Sequence, residues 1–341
     1  MALTEEQINE IRTELETSFR PLFFFDDDPD GLCSFLLLYR KIREGKGIVV
    51  KSSPELDEKF LKQVHEYQPD KIFILDKPMV KQEFIDGAKI KIVWIDHHEP
   101  VNMKNVKYYN PRVNDDKDNR PTSYWCYKIA DDDLWIAMVG ILGDWFLPVF
   151  SQEFTKLYPR LLPEDIKKPE KALFETEMGK LVRIFSFILK GKTQDVLKYI
   201  KILTRIDNPE EILMQTTSQG KFIYKKYEKT NKQYEEILKD VKVTEDKIIL
   251  YIYKDDKMSF TADLSNELLY KYPDRIIIVG REKSGEVKCS LRSTNIKLPI
   301  IIKNALKDVE GYGGGHEFAS GACIKKKDFE QFIDNIRKQI K

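Results

Sequence analysis

Four places in this chain set carboxylates and imidazoles at spacings that suit a divalent cation. The first is Asp26-Asp27-Asp28-Pro29-Asp30-Gly31, with acids alternating at 26, 28 and 30. The second is Asp76, which ends an apolar run, and the third is Asp96-His97-His98, which follows another. The fourth is Asp144, four residues after Gly140 in the apolar stretch GILGDW. Acids gathered on one rim repel each other, so such a cluster is stable where cations neutralise it. Hard oxygen ligands joined by one or two imidazoles suit Mn²⁺ or Mg²⁺.

Each piece alone has an ordinary explanation. The DDDPDG run makes a turn with helix-capping aspartates. It also opens like a calcium loop, but the twelfth position would be Leu37 rather than Glu, and a strand rather than a helix leads in. Asp76 alone is a strand-end acid. Adjacent histidines after an apolar strand are rarer. Asp144 sits near a helix C-terminus, where the macrodipole disfavours an acid, and that misfit favours function. Their order, on alternating β and α elements, argues against coincidence.

The elements that must position these groups follow from the apolar periodicity. Strands are expected at Leu22–Asp26, Gly47–Lys51, Lys71–Leu75 and Ile90–Ile95, with helices at 5–18, Leu32–Arg43 and Leu56–Tyr67. That alternation predicts a parallel sheet with helices on its faces, and ligands bind outside the carboxyl ends of such strands. A polar loop is expected at 99–120, then helices at Pro121–Ala130 and Asp133–Trp145. From about 150 to 240 the chain reads as nearly all helix. Phe174–Leu189 is amphipathic, and Glu210–Val241 is a Lys- and Glu-rich connector weakly broken near Gly220. After about 242 strands return at Lys247–Tyr253, Arg275–Gly280 and Glu286–Arg292, with helices at Ser265–Lys271, Leu298–Leu306 and Lys327–Gln339. The expected division is 1–150, a helical extension over 151–241, and a smaller α/β domain over 242–341.

Composition agrees with an ordinary folded protein. The 341 residues carry 57 basic and 56 acidic side chains, a net charge of +1 that excludes a strongly cationic nucleic-acid coat protein and an acidic tail. Apolar residues make up 42% and aromatic ones 11%, enough for real cores. Cys33, Cys126, Cys289 and Cys323 form no close pair and read as reduced thiols. The N-terminus is acidic and amphipathic, with no secretory pattern, and the longest apolar stretches fall far short of the ~18 residues of a membrane span. A cytoplasmic protein with no membrane contact is expected.

At this point the segments FDDDPDGLCS, ILD, IDHH and GILGD resemble the four ordered motifs of the DHH phosphoesterases. Downstream, SLRS at 290–293 and GYGGGHEFASGACI at 311–324 resemble the C-terminal DHH-associated domain of the RecJ-like and nanoRNase branch, which carries a GGGH signature. The resemblance covers roughly 20–145 and 245–341, and none of its motifs falls in 150–240. It implies an α/β fold: an N-terminal parallel-sheet DHH domain with a helical extension, a smaller C-terminal α/β domain, and an active site in the cleft between them. It also implies two divalent cations, Mn²⁺ ahead of Mg²⁺.

Carried over by residue, the resemblance implies Asp28, Asp30, Asp76, His97 and Asp144 as ligands, with Asp76 shared by both ions. Many relatives have a histidine shortly before the D-x-D acids. Here that stretch offers Phe24, Phe25, Asp26 and Asp27, and Asp26 is the substitute ligand, on the same side of an extended chain as Asp28. Asp96 orients a histidine from behind, and His98 lies beside the phosphate. In the C-terminal domain Gly313, Gly314 and Gly315 would offer backbone N–H groups to a phosphate. His316 would sit next to it, and Arg292, with Arg281 less strongly indicated, would fork onto it. Arg112, in Asn110-Pro111-Arg112, is a further cleft candidate.

The activity implied is two-metal hydrolysis of single-stranded DNA or RNA ends, oligonucleotides or dinucleotides to nucleoside monophosphates. Cyclic dinucleotides and their linear products fall in the same class. A pyrophosphatase or exopolyphosphatase would share the first domain but lack GGGH. A non-catalytic replication or repair scaffold would have lost ligands that are present here, and an alanyl-tRNA-editing use of the C-terminal domain would leave the intact first half unexplained. A homodimer or a replication or repair partner is compatible with this class. Lys225, Lys226, Lys229 and Lys232, interleaved with Tyr224, Tyr227 and Tyr234, form either a solvated linker helix or a strand-tracking groove. Asp115, Asp116 and Asp118 are expected in solvent, Asp131–Asp133 as helix caps, and His65 as an exposed residue near a helix end.

Overall fold

Phe23, Phe24 and Phe25 are sealed from water in β1 (Leu22–Asp26), and a strand buried on both faces must be central, with helices above and below. The computed structural model, which describes residues 3–51, 55–254 and 258–340, shows how. The chain divides into two compact units, Met1–Tyr227 and Glu228–Lys341.

In the first unit β1 is followed by β2 (Lys46–Val50), β3 (Glu55–Leu56), β4 (Lys71–Leu75), β5 (Met79–Val80), β6 (Lys91–Ile95) and β7 (Lys107–Tyr109). β3 and β5 pair with each other. The others form one parallel sheet in the order β2-β1-β4-β6-β7. The strand order reverses between β1 and β4, so Asp26 and Asp76 lie at the carboxyl ends on either side of the switch point.

Helices α1 (Glu5–Glu16), α2 (Pro29–Ile42), α3 (Leu61–Tyr67), α4 (Gln82–Ala88), α5 (Thr122–Ala130) and α6 (Leu134–Gly143) flank this sheet. Alternate strand residues Phe24, Ile74 and Trp94 share one core with Val64 of α3 and Phe84 of α4. On β1 the intervening rings meet α2: Phe25 stacks on Phe35 at 4.7 Å between centroids, and Phe23 meets the same ring edge-on at 5.5 Å. Two expectations are corrected here. The predicted helix 56–67 is helical in α3 only from Leu61, after strand and 3₁₀ residues. The predicted polar loop 99–120 contains β7, a three-residue strand that the sheet edge recruits despite its polar surroundings.

The helical segment comprises α7 (Ser151–Leu157), α8 (Pro169–Glu175), α9 (Glu177–Ile188), α10 (Thr193–Leu203), α11 (Pro209–Leu213) and α12 (Ser218–Lys239). Through Tyr227 it belongs to the first unit. α9 buries Leu181, Ile184, Phe185 and Ile188 and packs on α6, with Trp135 and Phe185 edge to face at 6.0 Å. The interruption expected near Gly220 falls instead between Leu213 and Ser218. Tyr227 is buried against Phe187 in the first unit, and Tyr234 against Phe260 in the second. Neither ring is available to stack on a base, which removes them from the groove reading.

The second unit contains β8 (Ile248–Lys254), α13 (Thr261–Lys271), β9 (Ile276–Lys283), β10 (Glu286–Arg292), α14 (Leu298–Ala305), β11 (Gly311–Gly315), β12 (Ala319–Lys325) and α15 (Phe329–Gln339). Its sheet runs β11-β12-β10-β9-β8, with β8 and β9 parallel and the rest antiparallel. Leu298, Ile302, Phe332 and Ile336 of α14 and α15 cover Ile278, Leu291 and Ile324. The small residues of β12 do not announce a strand, and pairing on both sides holds it. The four cysteines are free and buried. No helix among the described residues is long and apolar enough to cross a membrane.

Candidate active site

The turn after β1 is built so that three acids leave it in different directions. Asp28 caps α2, its Oδ1 accepting the Gly31 N–H at 2.9 Å, and Pro29 occupies the first helical turn with its φ already set. Gly31 is required by space. A Cβ there would lie 2.7 Å from the Asp26 nitrogen and 2.8 Å from its carbonyl oxygen, so glycine lets the helix start directly over the strand end. Asp30 then points into the molecule. Its carboxylate accepts the Thr122 and Ser123 N–H groups, each at 2.8 Å, and the Ser123 hydroxyl. Those amides are the unpaired donors at the N-terminus of α5, where the helix dipole also favours an anion.

Asp76 follows β4 in the left-handed region at φ 58°, an uncommon place for a non-glycine residue and a cost that clusters at functional sites. Its N–H is anchored to the Ile95 carbonyl at 3.0 Å, and its Oδ1 accepts the Thr122 hydroxyl at 3.2 Å. The next residue, Lys77, is wholly buried and puts its Nζ 2.8 Å from Asp26 Oδ1.

After β6, Asp96 is sealed from solvent and fastened by its neighbours. Its N–H donates to the Tyr109 carbonyl at 3.1 Å, and Asn110 Nδ2 reaches its Oδ2 at 3.3 Å. The other oxygen holds His98 Nδ1 at 2.8 Å. His97 Nε2 turns toward Asp144 Oδ2 at 3.2 Å and Asp76 Oδ1 at 3.4 Å. Asp144 lies just past the end of α6.

The electrostatics record the crowding. Burial, then the neighbouring carboxylates, push Asp28 and Asp76 well above the usual carboxylate range. The same causes raise Asp30 to about 6, against the pull of His97 and of its Ser123 bonds. For His98 burial alone would favour the neutral ring. The bond to Asp96 and the surrounding acids overcome it and lift the imidazole to about 9. Three groups bring one ligand atom per residue within 4.8 Å of each other: Asp26, Asp28 and Asp76; Asp30, His97 and Asp144; and Asp76, His97 and His98. Oxygen-rich sets with one or two imidazoles are the donor chemistry of Mn²⁺ and Mg²⁺, and a bound cation relieves the mutual repulsion of carboxylates gathered this closely.

All six ligand candidates, with Asp96 and His98, therefore gather at one end of the first sheet. Arg112 lies nearby in sequence but is engaged: Nη2 pairs with Glu99 at 2.8 Å, and Nε donates to the Asp116 carbonyl at 3.3 Å. Two expectations need correction. Asp118 is buried and paired with Arg120 rather than solvated. Asp133 does not cap α6 with its side chain, which holds Arg40 at 2.6 Å instead. His65 is exposed.

In the second unit the glycine-rich run is the edge strand β11, exposed along its length, so one row of its N–H and C=O groups lacks a strand partner among the described residues. Gly315 has φ +136°, and a Cβ there would meet the Ala319 carbonyl at 2.9 Å, whereas Gly314 faces open space. His316 and Ala319 exchange backbone hydrogen bonds at 2.9 and 3.3 Å and close the hairpin to β12. Arg292 lies across that hairpin. Its Nε donates to Asn266 at 2.6 Å and its Nη1 to the Leu291 carbonyl at 2.9 Å, while burial lowers it to about 10. Arg281 keeps a buried Nε without a hydrogen-bond partner among the described residues.

Sequence reasoning missed the groups that support the candidate ligands: Thr122, Ser123, Asn110 and Lys77. Pro121-Thr122-Ser123 did carry a helix-start pattern. Nothing in it says that the new helix points at an acid 92 residues earlier.

Family models described as "DHH family, N-terminal domain" and "DHHA1 domain" match residues 22–141 and 244–341. Among solved structures the chain is similar to RecJ from Thermus thermophilus in complex with Mn²⁺, at 13% identity and a TM-score of 0.70. The match covers 99% of this chain and 55% of that one, so the chain spans about half the length of that relative. An exonuclease RecJ bound to manganese matches at 13% identity and a TM-score of 0.63, over 98% and 94% of the two chains. The same Thermus thermophilus RecJ in complex with Mg²⁺ matches at 13% and 0.62, over 99% and 53%. No curated protein matches by sequence. At these identities the likeness establishes the fold.

Proposed function

The chain belongs to the DHH family of phosphoesterases, and on that premise we propose that it is a metal-dependent phosphodiesterase. Its substrates are single-stranded nucleic acid ends or short oligonucleotides, from which it releases nucleoside monophosphates. The observation that carries this reading is the gathering of Asp28, Asp30, Asp76, His97 and Asp144 at the strand ends, with ligand atoms in reach of one another. The RecJ structures, solved with manganese, support the metal.

Asp26, Asp28 and Asp76 would hold one divalent cation, and Asp30, His97, Asp144 and Asp76 the other. Such ions supply Lewis-acid activation of water and charge neutralisation at phosphorus. The chain's own groups do the remainder. Ser123 and the α5 amides fix Asp30 as an anion facing inward. Asp96 orients the His98 ring through Nδ1, and His98 would donate a hydrogen bond to a phosphate oxygen. His316 and the edge amides of Gly313–Gly315 would bind the substrate phosphate, with the Arg292 guanidinium forking onto it.

The test is an assay with Mn²⁺ on labelled single-stranded DNA, RNA, a dinucleotide, cyclic di-AMP and pyrophosphate. Monophosphate release from the single strands, abolished by EDTA, is expected. Cleavage of pyrophosphate alone, or activity undiminished by EDTA, would overturn the reading.

A further inference from the structure

Lys77 has no part in the sequence motifs, yet its side chain is fully buried, with Nζ 2.8 Å from Asp26 Oδ1. The same oxygen accepts the Asp27 N–H at 3.0 Å, so one side of the Asp26 carboxylate is committed to the protein. The backbone fixes the lysine as well. Its carbonyl accepts the Trp94 indole N–H at 3.0 Å, and the preceding residue is held in the left-handed region. A fully buried ammonium is retained where anions surround it. Here those anions include a candidate metal ligand.

The two candidate cation positions are therefore differently prepared. Around Asp30 the protein's contributions are neutral donors, the Thr122 and Ser123 amides and the Ser123 hydroxyl. Around Asp26 the contribution is a full positive charge. An incoming divalent ion meets like charge at the second position, and low polarity strengthens that repulsion.

We propose that Lys77 is a built-in cation that makes the two metal positions unequal. The ion served by Asp30, His97 and Asp144 binds tightly. The ion served by Asp26 and Asp28 binds weakly, because it shares Asp26 with the ammonium. Between ions, Lys77 stabilises the metal-free centre. Turnover would then follow free metal concentration through the weaker position. This rests on the two-metal reading above, but its test needs no substrate.

The experiment is equilibrium dialysis of the full chain against Mn²⁺, with free ion read by electron paramagnetic resonance, for wild type, Lys77→Met and Lys77→Gln. Wild type should show one tight and one weak ion, at least tenfold apart. Either variant should tighten the weak ion at least tenfold and leave the tight one in place. Without metal, both variants should melt at a lower temperature than wild type, and Mn²⁺ should close that gap. Lys77→Gln keeps a hydrogen-bond donor toward Asp26 and supplies the reading if Lys77→Met fails to fold. Two equal ions in wild type, or a weak ion unmoved or weakened in the folded variant, would overturn the proposal. Loss of nucleic acid cleavage with these binding results intact would instead count against the substrate assignment alone.

Discussion

In the first unit Asp30, Asp76 and Asp96 are all but sealed from water, and each is held by amides, hydroxyls or an imidazole. In the second, every residue from Gly311 to Phe318 is exposed, and among the described residues the strand that carries the glycines has a strand neighbour on one side only. The two regions solve different problems. Charges that must gather need their geometry fixed beforehand, because each would otherwise drift to water or take up a proton. A surface proposed to read a phosphate through backbone amides would need open approach and little side chain in the way.

The strongest way to break this contrast is Asp76→Ala. On the proposed reading this carboxylate serves both ions, so turnover should fall by at least ~10³-fold, with bound Mn²⁺ falling alongside. Mass spectrometric metal analysis and a cleavage assay together check it. Unchanged metal content would show that the buried half does not work as a centre. His316→Ala is the counterpart in the exposed half. A loss of roughly 10–100-fold in turnover, the worth of one hydrogen bond to a charged group, should come without any change in metal content, and matched loss of metal would erase the distinction between the regions.

A smaller effect sharpens the role of the glycines. Gly314→Ala should fold normally, since nothing lies near its Cβ, and should raise KM by crowding the approach. Gly315→Ala should also cost stability of about 1 kcal/mol or more, since its φ is +136°. Equal melting temperatures for the two variants would contradict that separation.

The gentlest probe is pH. Asp30 is raised to about 6, and burial also pushes Asp76 and Asp28 well above the usual carboxylate range, so the folded metal-free protein binds protons that the unfolded chain has already released. That stability is present in full below about pH 4, the unfolded carboxyl value, and is lost as pH rises through about 6. With EDTA, thermal melting should fall over that window, and saturating Mn²⁺ should remove the fall. His98 adds a second loss as pH passes about 9.

The candidate ligands could be picked out because they follow apolar runs at places where the chain must turn, and a run of buried residues ending in acid shows in one dimension. Their supports were not legible. Ser123 is separated from Asp30 by 93 positions, and Asn110 from Asp96 by 14, so only the closed sheet joins them. Lys77 was hidden differently. A lysine after a strand normally signals solvent, and here the fold encloses its side chain completely. The glycine run misled in the opposite sense. Its composition argues against a strand, and pairing with β12 supplies what propensity withholds.

The placement of Asp144 has a consequence for how the protein is made. Every candidate ligand, together with Asn110, Thr122 and Ser123, lies within the first 144 of 341 residues. As the chain leaves the ribosome, all of these groups emerge before any residue of the second unit. The helix α6 that carries Asp144 rests on α9, however, so the last ligand gains its backing only after Ile188 has emerged. The candidate ligands and their supports are thereby synthesised well before Glu228, the first residue of the second unit.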